Sequence, residues 1–372
     1  MTAGIWRRIV GPTMQQGPVM NPSDRDVPAR GADIHISGAG LVSKAESGSA
    51  NYTIGQPGAA MATPLPEQAI PGAGWTQLPA LLEGARPHQW AKNLLIFVPA
   101  ILSGTILEPD RLAAVALSFV ALCLIASGTY LLNDIWDLES DRKHWSKCKR
   151  PLPSGRLSLN MALVAALAGI LLGLLVSVAV GPMVALAASC YLALTIAYSL
   201  ALKRIPILDV SVLAGLFTLR LVLGIASAGV FASPWLLVFS MFLFSSLCFA
   251  KRYIELLRAG ERGKAGLAHR GYQNADGPLL LVLGPSAGMG AVVTLILYVI
   301  FDAFRQTFYG NTAWLWAFPL ILFLWVSRVW LMAARGELDD DPVTFAVRDA
   351  PSIMLGAAML GAFILAWSGV FG

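Results

Sequence analysis

Three aspartates and an asparagine stand together in Asn133-Asp134-Ile135-Trp136-Asp137-Leu138-Glu139-Ser140-Asp141, at the end of a long apolar run. The aspartates are spaced i, i+3 and i+7, which on a helix predicts one shared face for Asp134, Asp137 and Asp141, with Asn133 one turn before Asp137. Carboxylates that converge at a membrane boundary repel one another and lose solvation, so they require a cation. Hard oxygen ligands around an incompletely ringed ion suit Mg²⁺, which keeps some of its waters and also binds phosphates. The plain alternative is a solvated acidic patch, but such a patch has no need of one-face spacing directly after an apolar span.

Basic residues flank this motif. Lys147-Cys148-Lys149-Arg150-Pro151-Leu152-Pro153-Ser154-Gly155 follows it. Cations beside an acidic metal site suit a polyanion that bridges metal and protein; a positive-inside anchor is the other reading of Arg150. Further on, Lys251-Arg252-Tyr253-Ile254-Glu255 puts Lys251 and Glu255 at i, i+4 on one helix face, either as a second binding pair or as a surface ion pair. Tyr198, Lys203 and Asp209 lie between the two motifs. Arg220 falls inside an apolar run, where an arginine faces a polar cavity or a partner. Arg86-Pro87-His88-Gln89-Trp90-Ala91-Lys92-Asn93 reads alone as an interfacial anchor, with Trp90 at the headgroups and Lys92 snorkelling. Asp339-Asp340-Asp341-Pro342-Val343-Thr344-Phe345-Ala346-Val347-Arg348-Asp349 is a polar loop that either caps the site or only connects. The histidines (His35, His88, His144, His269) have no ligand spacing, and the sequence has no Ser/His/Asp set, P-loop or glycine-rich dinucleotide motif.

The elements that must carry these residues follow from composition. The 372 residues are 56% hydrophobic and only 13% charged, about half the charge of an ordinary soluble domain. Nine apolar segments are expected, at about 93–108, 111–132, 159–180, 182–202, 207–229, 234–250, 279–301, 312–333 and 351–371. Each approaches the ~20 residues that cross a ~30 Å hydrocarbon layer as a helix. The first and sixth are short, which suggests a shifted boundary or a partly sunken helix. The runs do not alternate, so an all-α polytopic membrane protein is expected rather than a barrel.

Residues 1 to about 78 are rich in Gly, Ala, Pro and Ser and predict a disordered tail ahead of one membrane domain over 79–372. The start lacks the apolar stretch of a signal peptide. Loops before segment 1 and after segments 2, 4, 6 and 8 hold eighteen Lys and Arg, while the other face holds only Arg111 and Arg305. That bias predicts a multi-pass inner-membrane protein with a cytoplasmic site, the N-terminus inside and the C-terminus outside. The net charge of +5 sits in these loops, so nucleic-acid binding is not expected. Cys123, Cys148, Cys190 and Cys248 show neither a disulfide framework nor a zinc pattern.

Asn133-Asp134-x-x-Asp137-x-x-x-Asp141 after the second span, followed by Arg150-Pro151, resembles the UbiA superfamily of intramembrane prenyltransferases over roughly residues 80 to 372. Members that prenylate aromatic rings carry a second motif of two aspartates four apart. Here Lys251-Arg252-Tyr253-Ile254-Glu255 stands at that place, with lysine for the first acid. Together with Arg86-Pro87-x-Gln89-Trp90-x-Lys92-Asn93 and Phe345-Ala346-x-Arg348-Asp349, this is similar to the decaprenyl-phosphate phosphoribosyltransferase branch. The resemblance implies a UbiA-like bundle of about nine helices under a polar cytoplasmic cap. It also implies transfer of 5-phosphoribose from phosphoribosyl pyrophosphate to a polyprenyl phosphate, towards lipid-linked arabinose donors for cell-wall glycan or a nodulation signal.

On that reading Asp134, Asp137 and Asp141, with Glu255, hold Mg²⁺ and the diphosphate. Asn133 orients the first metal shell or binds substrate. Lys92, Arg150, Tyr198, Lys203, Lys251 and Arg252 bind the phosphates and ribose, while membrane lipids surround the bundle. Two other functions remain open from sequence: prenyl transfer from a prenyl diphosphate to an aromatic acceptor, and a lipid or ion carrier without catalysis.

Overall fold

A computed structural model describes residues 77–369 except Trp145, Ala268, His269, residues 339–344 and Val347. The expected tail lies outside the described residues, apart from its last two positions. Of these, Gln77 accepts from the Ser158 backbone N–H and Leu78 already opens the first helix. The acidic part of the 339–349 loop and His269 also lie outside them.

Helix α1 (Leu78–Ala85) and a 3₁₀ segment (Pro87–Phe97) lead into the short α2 (Val98–Leu102). Then come α3 (Pro109–Trp136), α4 (Leu138–Arg142), α5 (Leu159–Val180), α6 (Pro182–Leu200), α7 (Leu208–Ala228) and α8 (Pro234–Glu261). A minimal hairpin, β1 (Gly266–Leu267) antiparallel to β2 (Tyr272–Gln273), joins α8 to α9 (Gly277–Phe301). The last two helices are α10 (Ala317–Ala334) and α11 (Ala350–Ser368). Proline opens α3, α6 and α8, where its missing N–H leaves no helical bond unmade. Ser158, Ser233 and Asp349 cap α5, α8 and α11 by accepting a backbone N–H in the first turn.

Among the described residues eight helices are long and apolar enough to cross a membrane, and the all-α polytopic expectation is met. The ninth expected span, 93–108, is broken rather than continuous. Pro99 cannot donate to a helical ladder, and the chain passes from 3₁₀ to α2 to a second 3₁₀ turn at Thr105–Leu107. Irregular backbone survives at membrane depth only with partners inside the protein. Tyr309 donates its hydroxyl to the Leu102 carbonyl, and Ser103 donates to the Ala100 carbonyl. The sixth span runs on to Glu261 instead of stopping near 250. Its polar extension carries Lys251, Arg252 and Glu255.

Gly224 lets the broken segment lie backbone-to-backbone on α7, since a Cβ there would overlap the Ile96 carbonyl oxygen. Small residues also bring α3 and α5 together, with Gly128 against the Ala166 carbonyl and Gly173 against the Ala121 carbonyl. One apolar core fills the space among α7 to α11, and a second lies among the 3₁₀ segment, α3, α6 and α7. Helices α5 and α11 are the least covered and turn apolar faces outward.

Candidate active site

The ends of α3, α6 and α10, the starts of α7 and α11, and the α8–α9 hairpin meet on one face. The acidic motif straddles the junction of α3 and α4. Asp134 and Asp141 are 3% and 1% exposed and point the same way. One Arg150 nitrogen reaches both, at 3.2 and 2.8 Å. Arg86 adds a 2.5 Å bond to Asp134, and Lys147 lies 3.3 Å from Asp141 Oδ1, an oxygen with no hydrogen bond. Asp137 is more open. It accepts from the Asn133 amide at 3.3 Å and lies 3.5 Å from Lys203.

The shared face expected for three aspartates is therefore two adjacent faces. At 3.6 residues per turn, i+7 returns to within roughly 20° of i, whereas i+3 lags by roughly 60°. Asp134 and Asp141 align, while Asp137 turns with Asn133 towards Lys203. Among the described residues no three His, Cys, Asp or Glu side chains are grouped to hold a metal ion; Asp134 and Asp141 face Arg86, Arg150 and Lys147. Glu255 does not join the aspartates. Its carboxylate takes a 2.6 Å bond from Arg252 and lies 3.8 Å from Arg270.

A second network occupies the other side of the α6 end. Arg252 is almost fully buried and donates to Asp209 at 2.6 Å, to Glu255 and to the Tyr198 hydroxyl. Tyr272 donates its hydroxyl to Asp209 at 2.6 Å and accepts the Ile207 N–H. Burial, and then the bond to Asp209, hold the Tyr272 pKa above the ordinary tyrosine range. Arg270, at the hairpin tip, donates to Tyr198 at 3.0 Å. Lys92 on the broken segment and Lys251 beside Arg252 on α8 are half-buried. The site also holds two non-glycine residues at positive φ: Arg86 (54°), whose side chain reaches Asp134, and Ile207 (68°), just ahead of Asp209. Such backbone costs on the order of 1–3 kcal/mol and concentrates at functional sites.

Sequence reasoning missed Arg270 and Tyr272, which reach the site through the hairpin, and the role of Arg86. Gly271 was the available signal. It adopts φ +73° against the Arg204 carbonyl, a fit that excludes a side chain. Arg220 lies deeper and, among the described residues, bonds neutral groups: the Asn93 side-chain oxygen, the Leu216 carbonyl and the Tyr191 hydroxyl. The bond to Asn93 fastens α7 to the broken segment that carries Lys92. All four cysteines are free.

An apolar cavity of about 430 Å³ runs through the bundle. It is walled by Leu95 and Val98 on the broken segment, Phe244 on α8, Trp325 on α10, and Leu355 and Met359 on α11. Ala346, and Ser352 in the first turn of α11, also line it.

Fold and site together define a multi-pass helical membrane protein with a cation-rich polar cap and an apolar cavity. The model of the UbiA prenyltransferase family matches residues 94–348, and the chain belongs to that family. Uncharacterized protein y4nM of Sinorhizobium fredii is 40% identical over 301 residues, covering 81% of this chain but 57% of that protein. The chain thus spans little more than half the length of this relative. Nodulation protein NoeC of Azorhizobium caulinodans is 34% identical over 289 residues, covering 76% of this chain and 92% of that one. The decaprenyl-phosphate phosphoribosyltransferase of Mycobacterium tuberculosis is 27% identical over 294 residues, covering 77% and 95%. The fold is shared with a UbiA homolog from Archaeoglobus fulgidus bound to GPP and Mg²⁺, at TM-score 0.58 and 15% identity over 78% of this chain and 99% of that one.

Proposed function

We propose that the protein transfers 5-phosphoribose from phosphoribosyl pyrophosphate to a polyprenyl phosphate at the cytoplasmic face of the inner membrane. The observation that carries this reading is the charge balance of the cap. Among the described residues, six cations (Arg86, Lys147, Arg150, Lys203, Arg252 and Arg270) pair with five carboxylates (Asp134, Asp137, Asp141, Asp209 and Glu255), and Lys251 adjoins Arg252 on α8. The surplus suits a substrate with several phosphates, beyond the single diphosphate of a prenyl donor. The apolar groove below suits part of an isoprenoid tail. The names of the decaprenyl-phosphate phosphoribosyltransferase relatives support the same reading, and the name of the nodulation protein NoeC supports a product used towards a nodulation signal.

Mg²⁺ fits the chemistry of the donor set. Asn133 and Asp137 offer hard oxygens, and the diphosphate and water would complete the coordination, as Mg²⁺ prefers. Mg²⁺ supplies neutralisation of the departing diphosphate when bound. Asp134 and Asp141 act through cations: they hold Arg86, Arg150 and Lys147 towards the substrate. An acceptor phosphate oxygen attacks the anomeric carbon, the bond from that carbon to the diphosphate oxygen breaks, and diphosphate leaves. The acceptor oxygen is already ionised near neutral pH, so no residue has to remove a proton. Positioning and electrostatic stabilisation by Lys203, Lys251 and Arg150 remain the protein's contribution, with Arg252 holding Asp209, Glu255 and Tyr198 in place behind them.

Membranes containing the protein, incubated with labelled phosphoribosyl pyrophosphate and polyprenyl phosphate, test this reading. Mg²⁺-dependent label in the lipid phase is expected. Label that stays aqueous, while a prenyl diphosphate is consumed on an aromatic acid in a parallel assay, would instead assign aromatic prenyl transfer.

A further inference from the structure

We propose that Arg270, with Tyr198, forms a separate subsite for a phosphate monoester, across the α6 end from the diphosphate subsite at Asn133, Asp137 and Lys203. The inference rests on the reading above and assigns one end of the donor to a residue outside both sequence motifs.

The first support is an inventory of donors. A guanidinium has five N–H donors in a planar fork. Arg252 spends its nitrogens on Asp209, Glu255 and Tyr198, and its side chain is 2% exposed. Arg270 makes one hydrogen bond among the described residues, to Tyr198, and its side chain is 32% exposed. Its other charged neighbours, Asp209 and Glu255, stand at 3.8 Å, beyond hydrogen-bond reach. Most of its fork is uncommitted, and a fork of this kind matches phosphate oxygens in pairs.

The second support is that nothing structural requires this arginine. The hairpin is fastened without it. Tyr272 bridges Asp209 and the Ile207 backbone, Gly271 sits on the Arg204 carbonyl, and Asn274 bonds the Lys264 carbonyl. Asp209 and Glu255 are already paired by Arg252. A positive charge on a hairpin fastened by Tyr272 and Asn274, with its ion-pair partners already bonded by Arg252, is arranged for a ligand.

The third support is geometry across α6. Its C-terminal end supplies Tyr198 to Arg270, and the turn that follows supplies Lys203 to Asp137. A molecule with an anionic group at each end, such as a sugar bearing a diphosphate and a monophosphate, offers one group to each contact; a prenyl diphosphate offers a group to only one.

Two ligands separate the subsites. Binding of ribose 5-phosphate, and of pyrophosphate with Mg²⁺, is measured by calorimetry on the purified full chain in detergent, for the parent, Arg270→Gln, Arg270→Lys and Asp137→Asn. Loss of a charge-assisted pair corresponds to about tenfold or more in affinity. Arg270→Gln is expected to weaken ribose 5-phosphate by that factor and leave pyrophosphate within about twofold, with Arg270→Lys in between. Asp137→Asn is expected to do the reverse. Intact pyrophosphate binding also reports that the Arg270 variants are folded. Equal losses for both ligands, or no loss of ribose 5-phosphate, would overturn the subsite. Failure of the parent to move labelled phosphoribose into lipid would instead overturn the function on which it rests.

Discussion

Arg252 and Asp209 meet at 2.6 Å with side chains 2% and 0% exposed, so the pair that anchors the basic half of the cap is itself sealed from water. Removing one partner strands a buried charge, which costs about 3–5 kcal/mol, whereas replacing both with apolar residues of similar size is far less damaging. Arg252→Met and Asp209→Leu should each lower the thermal midpoint in detergent sharply, and the double variant should regain much of the loss. Additive losses in the double variant would mean the two residues do not act as a pair.

The two faces of the acidic motif predict different phenotypes. Asp137 is partly open, with Asn133 and Lys203 as its neighbours. Asp137→Asn should leave insertion and melting unchanged while lowering Mg²⁺-dependent transfer on the order of 10²–10³-fold, the scale of one lost electrostatic contact to the reacting groups. Asp141→Asn weakens the hold on Arg150 and Lys147 and should lower the melting temperature as well as activity. Transfer and melting measured on the same preparations check both.

Gly224→Ala forces a methyl into the Ile96 carbonyl of the broken segment. Overpacking of this kind costs about 1–3 kcal/mol, and the backbone that must move carries Lys92 and Asn93. The expected outcome is a lower melting temperature together with a raised KM for the donor. Normal kinetics in a fully stable Gly224→Ala protein would count against close packing of this segment.

Asp349 caps α11 and accepts two bonds from Arg328, which, followed by its bonds from Ser352, lower its pKa to about 2. A depressed carboxylate stabilises the fold fully above its unfolded value near 4, and loses that contribution as pH falls from there through the folded value. Melting temperature should therefore drop between about pH 4 and pH 2 more steeply in the parent than in Asp349→Asn. Parallel pH profiles of melting for the two proteins test it.

Hydropathy made eight of the spans legible, because an apolar run of the right length has few alternatives in lipid. Two errors have physical causes. Pro99 breaks the first span, although the segment remains apolar enough to read as a helix. Helix α8 continues past Ala250 because tertiary partners hold Arg252 and Glu255, which a hydropathy limit treats as an exit from the membrane. Spacing singles out Asp134, Asp137 and Asp141, but their division between two faces depends on Arg86 and Arg150 arriving from other elements. Arg270 and Tyr272 were invisible for a related reason. A two-residue hairpin leaves almost no periodic signal, and their partners Tyr198 and Asp209 lie more than sixty residues away.

The walls of the apolar cavity come from opposite extremes of the membrane domain: Leu95, Val98 and Leu102 near its beginning, Leu355 and Met359 near its end. During synthesis the early wall emerges and inserts long before the late one exists. A ribosome-bound nascent chain therefore has no complete cavity until α11 is in place, and the apolar space closes in a single late step.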